Sequence, residues 1–229
     1  MIGDPQDASS SVAKGQRFVI DLYTWTTPNG RKVSIMLEEL GLPYRSIPIN
    51  ITEDDQFEPD FLKISPNNKI PAIVDTETGI SMMESAAIML YLSKKTGGKL
   101  VPGDEAGYWR MMEWLMLQMG GVGPMLGQAH HFLHFNAGKA PYAEERYGKE
   151  AARIYGVLDK RLGEAPYLAG DELSIADIAT WPWISRFEWQ KIDLNSFENL
   201  ARWYRELAAR PAFRRGYHVP KQMGEIPMP

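Results

Sequence analysis

The stretch Ser65-Pro-Asn-Asn-Lys-Ile-Pro-Ala-Ile-Val-Asp75, followed by Glu84-Ser85, decides how the chain reads. Ile70 to Asp75 is an apolar run with proline at its entry, which marks the start of a strand at a place where no ladder donor is needed. If the bond before that proline is cis, the N–H and C=O of the preceding residue stay out of the ladder and could pair with the backbone of an extended peptide. Thr76-Glu-Thr-Gly79 is a hairpin turn into a short strand near Ser81, and Glu84-Ser85 opens a helix. A serine at a helix start offers its hydroxyl and the orphan N–H groups to a carboxylate, while a neighbouring glutamate can hold an ammonium. Each piece alone has an ordinary explanation, as an edge feature or a helix cap. At this spacing they form a cradle for a peptide with a zwitterionic end.

Working outward, Phe18 to Tyr23 is a compact apolar strand, and Thr27-Pro-Asn-Gly30 interrupts it. Val33, Met36, Leu37 and Leu40 have helical spacing, and Gly41 is a natural C-terminal cap. Tyr44 to Ile49 reads as a second strand, Pro59 to Ile64 as a short helix and Glu84 to Lys95 as a longer one, which gives the order β-α-β-α-β-β-α closing near Thr96. Beyond Gly97 the strand signals vanish. Tyr108 to about Gly120, Glu144 to Leu162 and Leu200 to Ala209 carry helical periods, with a Gly/Pro break at Gly120–Pro124. Ser174-Ile-Ala-Asp177 resembles a capping box that Leu173 and Ile178 can staple, so Asp177 is expected to serve stability rather than chemistry. The expectation is an α/β domain over 18–96, a linker over 97–104 and an all-helical domain with a tail over 105–229, preceded by a disordered tail over 1–17.

Composition narrows the chemistry. The 229 residues carry a formal net charge of −4, which gives no electrostatic reason to expect nucleic acid or an anionic membrane surface as partner. No apolar run reaches the length of a membrane span, and residues 1–17 lack the apolar core of a secretory signal, so a cytoplasmic location is the default expectation. There is no cysteine, so disulfides, thiolate metal sites and a protein thiol nucleophile are excluded for this chain. Any thiol chemistry must use sulfur brought by a ligand. Thr27 and Asn29 stand where such sulfur could be activated: a helix start carries roughly half a positive charge and lowers a nearby thiol's pKa. The alternative for Thr27 to Gly30 is a plain turn and cap.

These strings resemble the glutathione transferases over about Phe18 to Tyr217. Thr27-Pro-Asn-Gly-Arg-Lys32, Ser65 to Asp75, Gly120-Gly-Val-Gly-Pro-Met-Leu-Gly-Gln128 and Ser174-Ile-Ala-Asp-Ile-Ala179 are similar to the bacterial Nu class and to the transferase-like domain of a fungal nitrogen regulator. The resemblance implies a thioredoxin-like N-terminal domain with a cis bond before Pro71, a glutathione transferase helical domain and a homodimer. It implies glutathione as co-substrate, used on a small disulfide, a peroxide or an electrophile, with disulfide reduction the principal activity, and a place in detoxification. A non-catalytic glutathione-binding or regulatory module of the same fold is the alternative. By resemblance Thr27 and Asn29 face the sulfur, with Tyr23 as rival but displaced toward the core. Gln56, Lys69, Ile70, Pro71, Glu84 and Ser85 hold the tripeptide, with a surface glutamine and a solvated lysine as alternatives for Gln56 and Lys69. Arg146 reaches glutathione across the dimer, or forms an i,i+4 ion pair. His130 and His134 stand at i,i+4, but no carboxylate joins them and packing is the expected role rather than metal binding. Trp25, Phe132, Phe135 and Trp181 are candidate walls of a second pocket, or core.

Overall fold

A computed structural model describes residues 19–229; the expected tail over 1–17, and Phe18, lie outside the described residues. The N-terminal half contains β1 (Ile20–Thr24), α1 (Pro28–Leu40), β2 (Tyr44–Pro48), α2 (Pro59–Leu62), β3 (Ala72–Asp75), β4 (Ser81–Met83) and α3 (Ser85–Lys95). The expected order therefore appears, with ends shifted by a few residues. The strands form one mixed sheet in the order β2-β1-β3-β4, parallel between β1 and β2 and antiparallel elsewhere. Tyr23 is opposite Ala72 and Ala72 is opposite Met83. That register gathers the exit of β1, the entry of β3 and the exit of β4 at one end of the sheet.

The chain divides into two units. The first runs through Leu92 and takes in Ala212–Gly224; the second comprises Ser93–Pro211 and Glu225–Pro229. This departs from a helical domain beginning at 105 and including everything after it. Residues 212–224 join the first unit because α9 (Pro211–Tyr217) lies against α1. A Cβ on Gly216 would sit 2.6 Å from the Ile35 backbone, so only glycine permits the approach. Ser34 Oγ donates to the Gly216 carbonyl at 2.7 Å, and Arg31 Nε donates to the Tyr217 carbonyl at 3.0 Å. The Arg31 guanidinium also lies 3.7 Å over the Tyr217 ring, a cation–π contact inside the unit. Ile20, Leu22, Ile35 and Met36 are fully buried in this unit, and each contributes about 1.5–3 kcal/mol.

The second unit is helical: α4 (Glu105–Leu117), α5 (Gly123–His130), α6 (Pro141–Glu164), α7 (Ile175–Ile184) and α8 (Glu198–Ala209). The break expected at Gly120–Pro124 is a wide π-helical turn over Gln118–Val122, with Pro124 in the first turn of α5. The stretch expected as a linker is tied down here, because the Leu100 carbonyl accepts from Ile175 N at 3.0 Å where α7 begins. Asp177 holds this region together. Its fully buried carboxylate accepts from Ser174 N, Ser174 Oγ, Leu168 N and Trp203 Nε1 at 2.8–3.0 Å.

Candidate functional site

The start of α1 is built from its own sequence. Thr27 has extended backbone angles and its hydroxyl oxygen accepts from Gly30 N at 3.1 Å, an N-cap, with Pro28 in the first turn. Accepting that bond leaves the hydroxyl hydrogen able to donate elsewhere. Asn29 is half-buried in the same turn, where the helix dipole favours a negative group. Gly30 is required for the loop to pass so close: a Cβ there would lie 2.2 Å from the Trp25 carbonyl oxygen. Lys221 covers Trp25, its amine 4.2 Å from the ring.

Tyr23, on β1, packs with Ile64 and Ile70 on a cluster of Ile49, Phe61 and Ala72, its ring tilted against Phe61 at 6.2 Å. Burial and then the Asp21 charge push its hydroxyl pKa up, against the opposing Arg45 charge. A phenol so placed keeps its proton and is poorly suited to serve as a base.

The entry to β3 is shaped by Ser65, which is fully buried and donates to the Lys69 carbonyl at 2.7 Å. Asn68 turns the loop with φ 48°, a left-handed conformation that asparagine tolerates. The Ile70–Pro71 bond is cis, as expected, and the β1–β3 and β3–β4 ladders begin at Ala72, so the Ile70 backbone lies outside them. Lys69 is exposed and Ile70 half-buried. Gln56 is half-buried in a 3-10 turn; its Nε2 donates to Asp54 at 3.3 Å, and its buried Oε1 has no hydrogen-bond partner among the described residues.

At the β4–α3 junction Glu84 is exposed with φ 71°, the left-handed region that a non-glycine residue enters only when its surroundings enforce it. Its carbonyl accepts from Ile88 N at 2.9 Å, so the residue starts α3 while its side chain faces solvent. Ser85 follows and is buried. Behind it stands Lys32 of α1, only 1% exposed, with Nζ donating to Ser85 Oγ at 3.4 Å. Burial lowers the Lys32 amine to about 7, partly opposed by the Glu84 charge. Lys32 was visible in the sequence as part of a motif but not as a site residue. The signal is a cation four residues before Met36, on the stripe that α1 buries.

The remaining candidates lie in the second unit. Arg146 is exposed on α6 and lines a cleft of about 520 Å³ with Met125, Tyr142, Tyr147, Glu150 and Arg153. Glu150, its i,i+4 neighbour, is held by Arg153 at 2.7 Å, and Arg146 makes no ion pair of its own among the described residues. Trp181 is not a pocket wall: it is fully buried, stacks on Tyr204 and donates to the Tyr204 carbonyl at 3.1 Å. Phe132 stacks on Tyr147, and Phe135 remains exposed beside Trp189. His130 stacks on Trp183 and lies 2.8 Å from Gln190 Nε2, while His134 stacks on Trp189, so both rings are engaged in packing. Among the described residues no helix is long and apolar enough to cross a membrane.

Two family models match the chain: "Glutathione S-transferase, N-terminal domain" over residues 26–95, and "Glutathione S-transferase, C-terminal domain" over residues 121–211. The disulfide-bond oxidoreductase YfcG of Escherichia coli is 47% identical, over 85% of this chain and 92% of its own length. A crystal structure of a glutathione transferase from Burkholderia graminis, with two glutathione molecules per subunit, aligns with TM-score 0.83 and 43% identity over 90% of each chain. One from Pseudomonas putida, with one glutathione disulfide per subunit, aligns with TM-score 0.83 and 40% identity over 91% of this chain and 94% of that one.

Proposed function

Since the chain belongs to the glutathione S-transferase family, we propose that it reduces disulfides with glutathione, holding the tripeptide on its first unit and its sulfur at the start of α1. One observation carries the reading: a chain with no cysteine presents an N-capped helix start, a strand entry with free-standing backbone at Ile70, and a Glu84–Ser85 pair at one end of one sheet. In this reading Thr27 and Asn29 donate to the thiolate, the Ile70 backbone pairs with the cysteinyl residue, and Lys69 faces the glycine carboxylate. Glu84 takes the γ-glutamyl ammonium and Ser85 the carboxylate beside it. The buried Oε1 of Gln56 is an acceptor suited to a ligand N–H.

Every thiol comes from glutathione. A first thiolate attacks one sulfur of the substrate disulfide, forming a mixed disulfide and releasing a substrate thiolate, which takes up a proton. A second glutathione thiolate attacks the glutathione sulfur of that mixed disulfide, releasing the second substrate thiol and oxidised glutathione. The relatives carrying two glutathiones or one glutathione disulfide per subunit are consistent with this stoichiometry. Weaker peroxide reduction and aryl-halide conjugation follow from the same activated sulfur.

The finer assignment is a cytoplasmic homodimer of the Nu class acting in detoxification. Trp109, Met116 and Leu117, exposed along α4, supply an apolar face for a second copy, and Arg146, which makes no ion pair among the described residues, can reach a partner's ligand. The test mixes glutathione, 2-hydroxyethyl disulfide and the protein and follows oxidised glutathione. Acceleration over the uncatalysed exchange is expected. No acceleration with brisk aryl-halide conjugation would make it an ordinary conjugating transferase, and binding without turnover a non-catalytic module.

A further inference from the structure

Lys32 stands apart among the charged side chains of the first unit, because it is buried on the helix that starts at Thr27 yet reaches the start of a different helix. Its Nζ lies 3.4 Å from Ser85 Oγ, and both residues are buried, at 1% and 4% exposure. Placing an ammonium there is unfavourable unless a negative group or several dipoles offset the lost hydration. Glu84, the charged neighbour at that junction, is exposed and turned out to solvent by its left-handed backbone. The junction thus presents a buried amine inside, beside the Ser85 hydroxyl, and an anion outside. A ligand end carrying an adjacent carboxylate and ammonium matches this order: carboxylate toward Ser85 and Lys32, ammonium toward Glu84.

We propose that Lys32 is a positioning residue for the carboxylate of the γ-glutamyl end, acting through Ser85. By donating to Ser85 Oγ it occupies a lone pair of that oxygen and turns the hydroxyl hydrogen outward, toward the carboxylate. Its charge strengthens that bond at a site from which water is excluded. The first helix therefore serves two parts of the tripeptide: its N-terminus faces the sulfur of the central cysteinyl residue, and its buried lysine, one turn later, backs the glutamyl subsite. This inference rests on the glutathione reading of the preceding section.

The test is a cycle of two ligands and two proteins, measured by calorimetry. The ligands are S-methylglutathione, which removes the thiol's own titration, and the S-methylated analogue with 4-aminobutanoyl in place of γ-glutamyl, which lacks only that carboxylate. Wild type is expected to bind the analogue at least about tenfold more weakly than S-methylglutathione, and Lys32→Met to shrink that ratio about fivefold or more. Lys32→Gln, similar in length and still a donor, is expected to fall between them. Equal weakening of both ligands by Lys32→Met would reduce Lys32 to a structural role and overturn the proposal; so would unchanged binding of both. If neither variant folds, proton exchange on wild type decides. A carboxylate beside the buried ammonium raises its pKa, so S-methylglutathione should bind with net proton uptake just above pH 7 and the analogue should not. Equal uptake with both ligands, or none with either, overturns the proposal. Absence of any S-methylglutathione binding by wild type overturns the glutathione reading itself, a distinguishable result.

Discussion

Gly30 and Trp25 are in contact so close that the first carbon of any side chain at Gly30 would stand 2.2 Å from the Trp25 carbonyl oxygen and 2.5 Å from Thr24 Oγ1. Both neighbours are part of the β1 exit and neither is a flexible chain end. Gly30→Ala must therefore push α1 away from the strand, at a cost of about 1–3 kcal/mol. Because Gly30 N also donates to Thr27 Oγ1, the shift breaks the cap that orients the hydroxyl. The expected result is a folded protein with lowered melting temperature and disproportionately low disulfide-reductase turnover. Full turnover would show that the geometry of this turn is irrelevant to the sulfur.

Thr27→Ala and Asn29→Ala are expected to lower kcat by about tenfold or more with smaller changes in glutathione affinity, since donors to a charged sulfur act mainly where charge develops. Thr27→Ala also removes a cap, with about 1 kcal/mol of stability. Tyr23→Phe should leave kcat nearly unchanged, because in this reading Thr27 and Asn29 donate to the thiolate and the phenol serves packing against Phe61. Steady-state kinetics on the three variants ranks them; a nearly inactive Tyr23→Phe places the protein with the tyrosine-type transferases.

Glu84 combines an exposed carboxylate with a left-handed backbone. Glu84→Gly relieves the backbone and should keep or raise stability, by up to about 1 kcal/mol, while weakening glutathione binding about tenfold or more. Glu84→Gln should weaken binding without the stability gain. Thermal melts and titration calorimetry on both variants separate the two effects. Unaltered binding in both would remove Glu84 from the site.

Asp177→Ala leaves four donors without their acceptor in a fully buried place. A loss of about 3–5 kcal/mol is expected, read from the urea midpoint at constant m-value. Activity per folded molecule should be retained. A loss under 1 kcal/mol would mean that water replaces the carboxylate in the variant.

His130 gives the second unit a pH dependence. Burial, with the Arg186 and His134 charges, holds it at about 4, below the ordinary 6.5. The unfolded chain therefore binds a proton between pH 6.5 and 4 that the folded chain refuses. The folded state loses stability as pH falls through that window, by about 2–3 kcal/mol at the bottom, and no penalty applies above it. Denaturation at pH 7.5 and 4.5 should show a steeper acid loss in wild type than in His130→Gln, which has no titrating ring. Equal slopes would mean that His130 titrates normally in the fold.

Much of the site was legible because its signals are local. A cap, a proline and a glycine within four residues mark the start of α1, and Ile70-Pro71 with Glu84-Ser85 marks the cradle. Arg31, Lys32 and Gly216 were not legible as site or packing residues, since their roles depend on what lies beside them. Trp181 illustrates the converse: an aromatic residue near a capping motif fits a pocket wall or the core equally well by composition, and only its stacking on Tyr204 decides. The helix at Pro211–Tyr217 is too short to carry a period, and its membership of the first unit rests on the contacts of Gly216 and Tyr217 with α1.

By itself the sequence determined the order of elements, the change from mixed sheet to helices, the capped start of α1, and the requirement that any reacting sulfur belong to a ligand. Backbone preferences and periodicity act over a few residues, and a missing residue type is absent in every conformation. Tertiary structure alone decided that Ala212–Gly224 joins the first unit, that Leu100 is tied to α7, that Tyr23 packs on Phe61, and that Lys32 is buried behind Ser85. Those outcomes depend on burial and on contacts between residues as much as 186 positions apart, as for Arg31 and Tyr217. Burial is what turns a lysine from a solvated surface charge into a directed one, and no spacing along the chain encodes it.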